Sequence, residues 1–132
     1  RIVERVTRNR NGRRRKSMIN IRTIEFFDKS YKHLFKKYRS ISQDYLQLIE
    51  ALRENPYLGT DLGNNIHKIR IGITGKGKGK RGGARVLTDT EAVINVEEGI
   101  VTLLAIYDKA EISTLSDNKI KELVEIARAE NK

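Results

Sequence analysis

The eleven residues 75–85, Gly-Lys-Gly-Lys-Gly-Lys-Arg-Gly-Gly-Ala-Arg, set five cations among five glycines with no acid to neutralise them. Glycine permits positive φ and leaves the backbone bare, so the run interrupts regular structure and bends closely around whatever it meets. Lysine and arginine are the natural phosphate ligands, which makes a polyanion the fitting partner. A solvated, mobile loop has the same composition. The run lies mid-chain between two strand-like segments, not at a terminus, and that position favours a loop held in place.

Its flanks read as strands. From Ile66 to Ile73 the residues alternate: His67, Ile69, Ile71 and Ile73 share one face, while Lys68 and Arg70 point together from the other, beside the glycine run. His67 as a general base stands against its place on the apolar side, which fits a packed or edge histidine. Residues 84–96 are strand-like with an irregularity at Thr88, Asp89 and Thr90, and Glu97, Glu98 and Gly99 form a turn. Residues 100–107 are apolar on both faces, the mark of a central strand, with Arg85 at the loop's exit and Tyr107 at that strand's far end.

The amino-terminal half is helical after one strand over residues 19–25. Phe27, Tyr31, Leu34, Phe35 and Tyr38 recur at helical spacing with Lys29, Lys32, Lys36 and Lys37 opposite, so the aromatic stripe is a core face sooner than a base-stacking platform. Ser40 and Ser42 offer N-caps to a second helix whose buried stripe is Tyr45, Leu48, Ile49 and Leu52 and which Asn55 and Pro56 stop. Two helices joined this tightly form an antiparallel hairpin. Residues 57–65 are a Gly/Asn/Asp-rich loop, and Ser116 caps a last helix with Ile120, Leu123, Val124 and Ala127 inward. The order is β-α-α-β-β-β-α, an α+β domain with a single core, which 132 residues and 38% hydrophobic content accommodate. Cysteine is absent, so disulfides, thiolate metal sites and a cysteine nucleophile are excluded. Neither a transmembrane helix nor a secretory signal is read in these residues.

The net charge of +10 is unevenly spread: residues 1–17 and 66–85 carry +7 each, residues 18–65 carry +1 and residues 86–132 carry −5. A near-neutral body with a concentrated cationic segment suits a phosphate-bearing partner. Residues 1–17 show no sustained period and lack an initiator Met, whereas Met18 reads as a domain start. The expectation is a basic leader over 1–17, expression-derived or disordered, ahead of a domain over 18–132; a nucleic-acid-binding arm is the functional alternative.

The glycine run is not a nucleotide-binding P-loop. Gly72, Gly77 and Lys78 reproduce the spacing, but Gly79 stands where Ser or Thr must ligate magnesium. The two histidines, His33 and His67, lie far apart, and Asp108 and Glu111 read as a solvated turn. Metal-free RNA cleavage needs a group to take the 2′-hydroxyl proton, cations to stabilise the phosphorane-like transition state and an acid for the leaving oxygen. Crowded lysines serve the first need, since like charges favour the neutral amine. Arginine suits the second, and Tyr107 donates a proton or stacks on a base.

With its β-α-α-β-β-β-α order, the chain resembles the RelE/HigB toxins of bacterial toxin-antitoxin modules over residues 18–132. The carrying motifs are Gly77-Lys78-Gly79-Lys80-Arg81-Gly82-Gly83-Ala84-Arg85-Val86 and Leu103-Leu104-Ala105-Ile106-Tyr107-Asp108-Lys109-Ala110-Glu111. The Lys-Arg-Gly-Gly-Ala-Arg signature resembles the HigB-like branch. The resemblance implies a RelE-like fold, a small mainly antiparallel sheet of about four strands with an amino-terminal helical hairpin and a carboxy-terminal helix. It also implies a cytoplasmic bacterial toxin with no cofactor, metal or membrane: a ribonuclease cutting mRNA in the ribosomal (30S) A site and masked by a cognate antitoxin. Lys68 and Arg70 match the cationic positions of the second strand, Arg85 the arginine opening the third, and Lys109 falls near the basic position after the fourth. Tyr107 as a catalytic residue comes from the reading of the residues. Lys76, Lys78, Lys80 and Arg81 belong to the extended loop and grip rRNA or mRNA. No histidine stands where some relatives use one as base. The rival reading is a non-catalytic RNA- or DNA-binding module, or an inactive protein of the same fold, using the same basic groove.

Overall fold

The computed structural model describes residues 5–8, 14–77 and 79–131. Among them the chain runs β1 (Arg5–Arg8), β2 (Arg14–Thr23), α1 (Glu25–Lys37), α2 (Ile41–Glu54), β3 (Thr60–Asp61), β4 (Ile66–Ile71), a 3-10 turn (Thr74–Lys76), β5 (Ala84–Asp89), β6 (Val93–Asn95), β7 (Glu98–Asp108) and α3 (Asp117–Glu130). The sheet order is β1-β2-β7-β5-β4-β3, with β6 pairing β7 off this path. Every pairing is antiparallel except β2 with β7, which is parallel. The α+β class stands as expected. The sheet is mixed, and short β1, β3 and β6 take it beyond the four strands the periodicity marks.

The irregularity at residues 88–90 is where β5 ends and the chain turns into β6. β2 runs unbroken through the expected leader boundary, and the hydroxyl of buried Ser17 donates to the Arg53 carbonyl of α2. Residues 14–17 therefore belong to the sheet, and Arg5–Arg8 pairs with them; residues 1–4 and 9–13 lie outside the described residues.

β7 is the centre of the molecule, with the helical hairpin on one face and α3 on the other, and it carries a bulge. Leu87 pairs with Ala105 but Thr88 with Leu103, so Leu104 is an extra residue on β7 and the alternation of that strand reverses across it. One sheet face carries the helical hairpin. There Ser17 meets α2, and Asp108 faces Lys37 at the end of α1. On this side Ile19, Phe27, Leu34, Ile41 and Leu52 are fully buried, and Tyr45 packs its ring against Phe27 and Tyr31. The other face carries α3, docked by Arg128 on Asp89 and Asn131 on Thr102 and sealed by Leu123, Val124 and Ala127. As expected, the Ser116 hydroxyl caps α3, accepting from the Lys119 N–H. No helix among the described residues is long and apolar enough to cross a membrane.

Candidate functional site

Three of the expected residues form a row across neighbouring strands. Arg70 on β4 is paired with Arg85 on β5, which is paired with Tyr107 at the end of β7. Directly paired residues share a face, and adjacent strands lie about 4.8 Å apart, so the row spans roughly 10 Å. Lys68 stands two residues along β4 on the same face. α3 covers the opposite end of this face, near Asp89 and Thr102, and the row end is left to the loop and to residues 109–116. Arg70 is exposed and Lys68 half-buried, whereas Arg85 and Tyr107 are buried.

The glycine run closes over this end and is pinned at its start. Asp44 of α2 accepts from the Thr74 N–H at 2.9 Å and from the Thr74 hydroxyl at 2.6 Å, and the Ser40 hydroxyl accepts from the Gly75 N–H at 2.7 Å. Ser40 sits at the N-cap position of α2 but makes no side-chain cap there. Gly77 and Gly79 take positive φ, turning the loop back. At Gly83 a Cβ would run into the Ile71 carbonyl oxygen, so only glycine lets the returning strand approach β4 this closely.

Arg85 is the loop's inner clamp. Its Nη1 donates to the Lys80 carbonyl at 3.0 Å and to the Ala84 carbonyl at 3.1 Å, and its Nη2 donates to the Arg81 carbonyl at 3.3 Å. Its charge therefore faces the row from a fixed position, and its donors are directed at backbone, not outward. Beside it, burial pushes the Tyr107 phenol above its ordinary pKa, against smaller opposing effects of the Arg85 charge and a hydrogen bond with Thr114. Tyr107 thus keeps its proton at neutral pH and is a donor.

Lys76 is not a free loop cation. Its Nζ lies 2.6 Å from Asp108 Oδ1, with the Lys76 side chain 11% exposed and the Asp108 side chain 0%. Lys37 stands 3.6 Å from the other carboxylate oxygen and also pairs with Glu111, which contacts His33. Burial alone would raise the Asp108 carboxyl, but hydrogen bonds from Lys76 and the Ala110 N–H, with the charges of Lys76 and Lys37, outweigh it and hold the group below its ordinary value. Asp108 is therefore a buried staple between loop, α1 and central strand, and not part of a solvated turn. The ion pair sets Lys76 apart from the open cations of the loop.

The remaining cations are open. Lys80, Arg81 and Lys109 are exposed, and the Lys109 N–H donates to the Gly83 carbonyl, bringing it under the loop. Among the described residues no carboxylate forms a salt bridge with Lys68, Arg70, Lys80, Arg81, Arg85 or Lys109; Lys78 lies outside the described residues. His67 is buried on the hairpin face with its ring near Tyr57 and Thr90, away from the row. No group of three or more His, Cys, Asp or Glu side chains is placed to hold a metal among the described residues.

Asp44 and Thr114 escape the sequence reading, which takes Asp108 for part of a solvated turn. A signal existed for Asp108, which follows Ile106 by two on a strand apolar on both faces and so falls at an inward position. No protein-family model matches the chain. Chemically, the arrangement offers an anion-attracting row with a protonated phenol at one end, the set that charge stabilisation and proton donation at a phosphodiester require.

Proposed function

We propose that the chain is a toxin of the RelE/HigB kind, with a RelE-like fold, that cuts mRNA on the ribosome by metal-independent attack of a 2′-hydroxyl. The observation that carries this reading is the row Arg70, Arg85 and Tyr107, set with Lys68 at the end of the α3-bearing sheet face that α3 leaves uncovered. In the proposed reaction Lys68 or a loop lysine takes the 2′-hydroxyl proton and the 2′-oxygen attacks phosphorus. Arg70, with Arg85 behind it, stabilises the added charge on the phosphoryl oxygens. The 5′-oxygen leaves with a proton from Tyr107 or Lys109, giving a 2′,3′-cyclic phosphate and a free 5′-hydroxyl. Lys80, Arg81 and Lys109 hold the phosphates of message or rRNA. The partners of this reading are the ribosome, mRNA and a cognate antitoxin, in the bacterial cytoplasm.

A second reading, a non-catalytic nucleic-acid-binding module, is favoured by one observation: Arg85 turns its donors to loop carbonyls. Substitution of exposed Arg70 separates the two. Expression of the chain in a bacterial host is expected to arrest growth, and Arg70→Ala to abolish the arrest while ribosome binding falls only a few-fold, about the effect of one phosphate contact. Equal losses of arrest and binding favour the module, and wild-type expression without arrest contradicts the toxin.

A further inference from the structure

The guanidinium of Arg85 sits inside the returning limb of the glycine run. Its Nη1 donates to the Lys80 carbonyl and its Nη2 to the Arg81 carbonyl, so one planar group bridges two successive peptide units. A further bond from Nη1 reaches the Ala84 carbonyl on the strand itself. The Gly83 N–H donates to the same Lys80 carbonyl at 3.4 Å, which closes residues 80–83 into a turn around the arginine. Gly83 is held from outside as well: its carbonyl accepts from the Lys109 N–H, and the Ile71 backbone leaves no room for a Cβ. Arg85 is 5% exposed, whereas Lys80 and Arg81, at the first two positions of the turn, are open to solvent.

We infer that Arg85 is a positioning residue that meets no phosphate itself and sets Lys80 and Arg81 side by side to take consecutive phosphates of single-stranded RNA. The inference rests on the proposed function for its ligand and adds how the two open cations of the turn are placed. Arginine carries five N–H donors in a planar fork, which matches carbonyls of neighbouring peptide units. A lysine at this position keeps the charge but gathers its donors on one atom, one bond short of the Nη positions, and cannot reproduce the bridge. Without the bridge a glycine-rich turn has many other conformations, so fixing its two cations against RNA costs ordering entropy. A guanidinium that swung out to RNA would break all three of its carbonyl hydrogen bonds. Charge and placement are therefore separable by a substitution that conserves charge.

The test measures binding of the full chain to 2′-O-methylated hexauridylate, which the proposed reaction cannot cut, by fluorescence anisotropy. Lys80→Gln with Arg81→Gln is expected to weaken binding about tenfold, a few-fold for each phosphate contact. Arg85→Lys is expected to weaken it to about the same extent with the net charge unchanged. Adding both glutamine substitutions to Arg85→Lys should then cost less than about threefold more. Binding by Arg85→Lys close to that of wild type, or independent losses in the triple variant, overturns the inference. The wild-type protein supplies a measurement that no unfolding of a variant obscures. Under saturating oligonucleotide the guanidinium NMR signals of Arg85 are expected to stay in place while those of Arg81 shift. Comparable shifts in both, or no binding of the oligonucleotide, overturn the inference as well. Cleavage enters no readout, so a chain that binds in this way and leaves message intact fails the proposed reaction alone.

Discussion

Replacing Lys76 with methionine is expected to destabilise the protein by about 3 kcal/mol although Lys76 lies in a glycine-rich surface loop. The Asp108 side chain is 0% exposed and its Oδ1 lies 2.6 Å from the Lys76 ammonium. Removing one partner of a buried pair costs about 3–5 kcal/mol, because the other charge stays in place uncompensated. Lys37 at 3.6 Å and the Ala110 N–H remain to Asp108, which sets the expected loss at the low end of that range. Combining Lys76→Met with Asp108→Leu removes the stranded charge, so the double variant should be more stable than the sum of the single losses predicts by about 2 kcal/mol. The pH dependence has a definite sign. The Asp108 carboxyl is held below its ordinary value in the folded protein, so its stabilisation is complete above the unfolded value of about 3.9 and disappears as pH falls through the folded one. Urea denaturation followed by far-ultraviolet circular dichroism at pH 7, 4 and 3 measures these quantities, provided the m-value is unchanged. A loss below about 1 kcal/mol at pH 7, the value of an exposed pair, refutes the reasoning. Strict additivity in the double variant does so too.

Three other substitutions probe separate parts of the structure. Gly83→Ala should cost about 3 kcal/mol, the upper end for overpacking, because the new Cβ meets the Ile71 backbone and no side chain can yield; a thermal melt within a degree of wild type would contradict the close approach. Arg128→Met should cost about 3 kcal/mol by leaving buried Asp89 without its 3.1 Å partner, and amide exchange should accelerate first in α3. Tyr107→Phe should lose about 1 kcal/mol with the Thr114 hydrogen bond, and message cleavage should slow by roughly 100-fold or more if the phenol supplies the leaving-group proton. An unchanged cleavage rate would transfer that role to Lys109.

Local periodicity made the helices and long strands legible. Phe27, Tyr31 and Leu34, or Leu123, Val124 and Ala127, recur at helical spacing because a helix presents one face to the core, and Ser116 marks the α3 start by its own hydrogen bond. The parallel pairing of β2 with β7 was not legible, since it joins residues about eighty apart in sequence and no local pattern encodes which edge a strand takes. The row Arg70, Arg85 and Tyr107 was half legible: each residue was singled out, but their alignment depends on register across three strands. The Lys76 ion pair was not legible, since a lysine among glycines looks free while its partner comes from a strand 32 residues away. Ser40 looked like a helix cap and instead accepts from the loop, a competition between two donors that sequence spacing does not decide.

Cleavage on the ribosome is the most direct test of the central claim. Ribosomes programmed with a defined message are incubated with stoichiometric protein in EDTA-free buffer, and the new RNA ends are mapped and their chemistry determined. A parallel message carries a single 2′-deoxynucleotide at the mapped position. The expected result is a cut in the ribosomal A site that leaves a 2′,3′-cyclic phosphate and a 5′-hydroxyl, and no cut at the 2′-deoxy position. Intact message on wild-type protein, or equal cutting of the 2′-deoxy message, would contradict it.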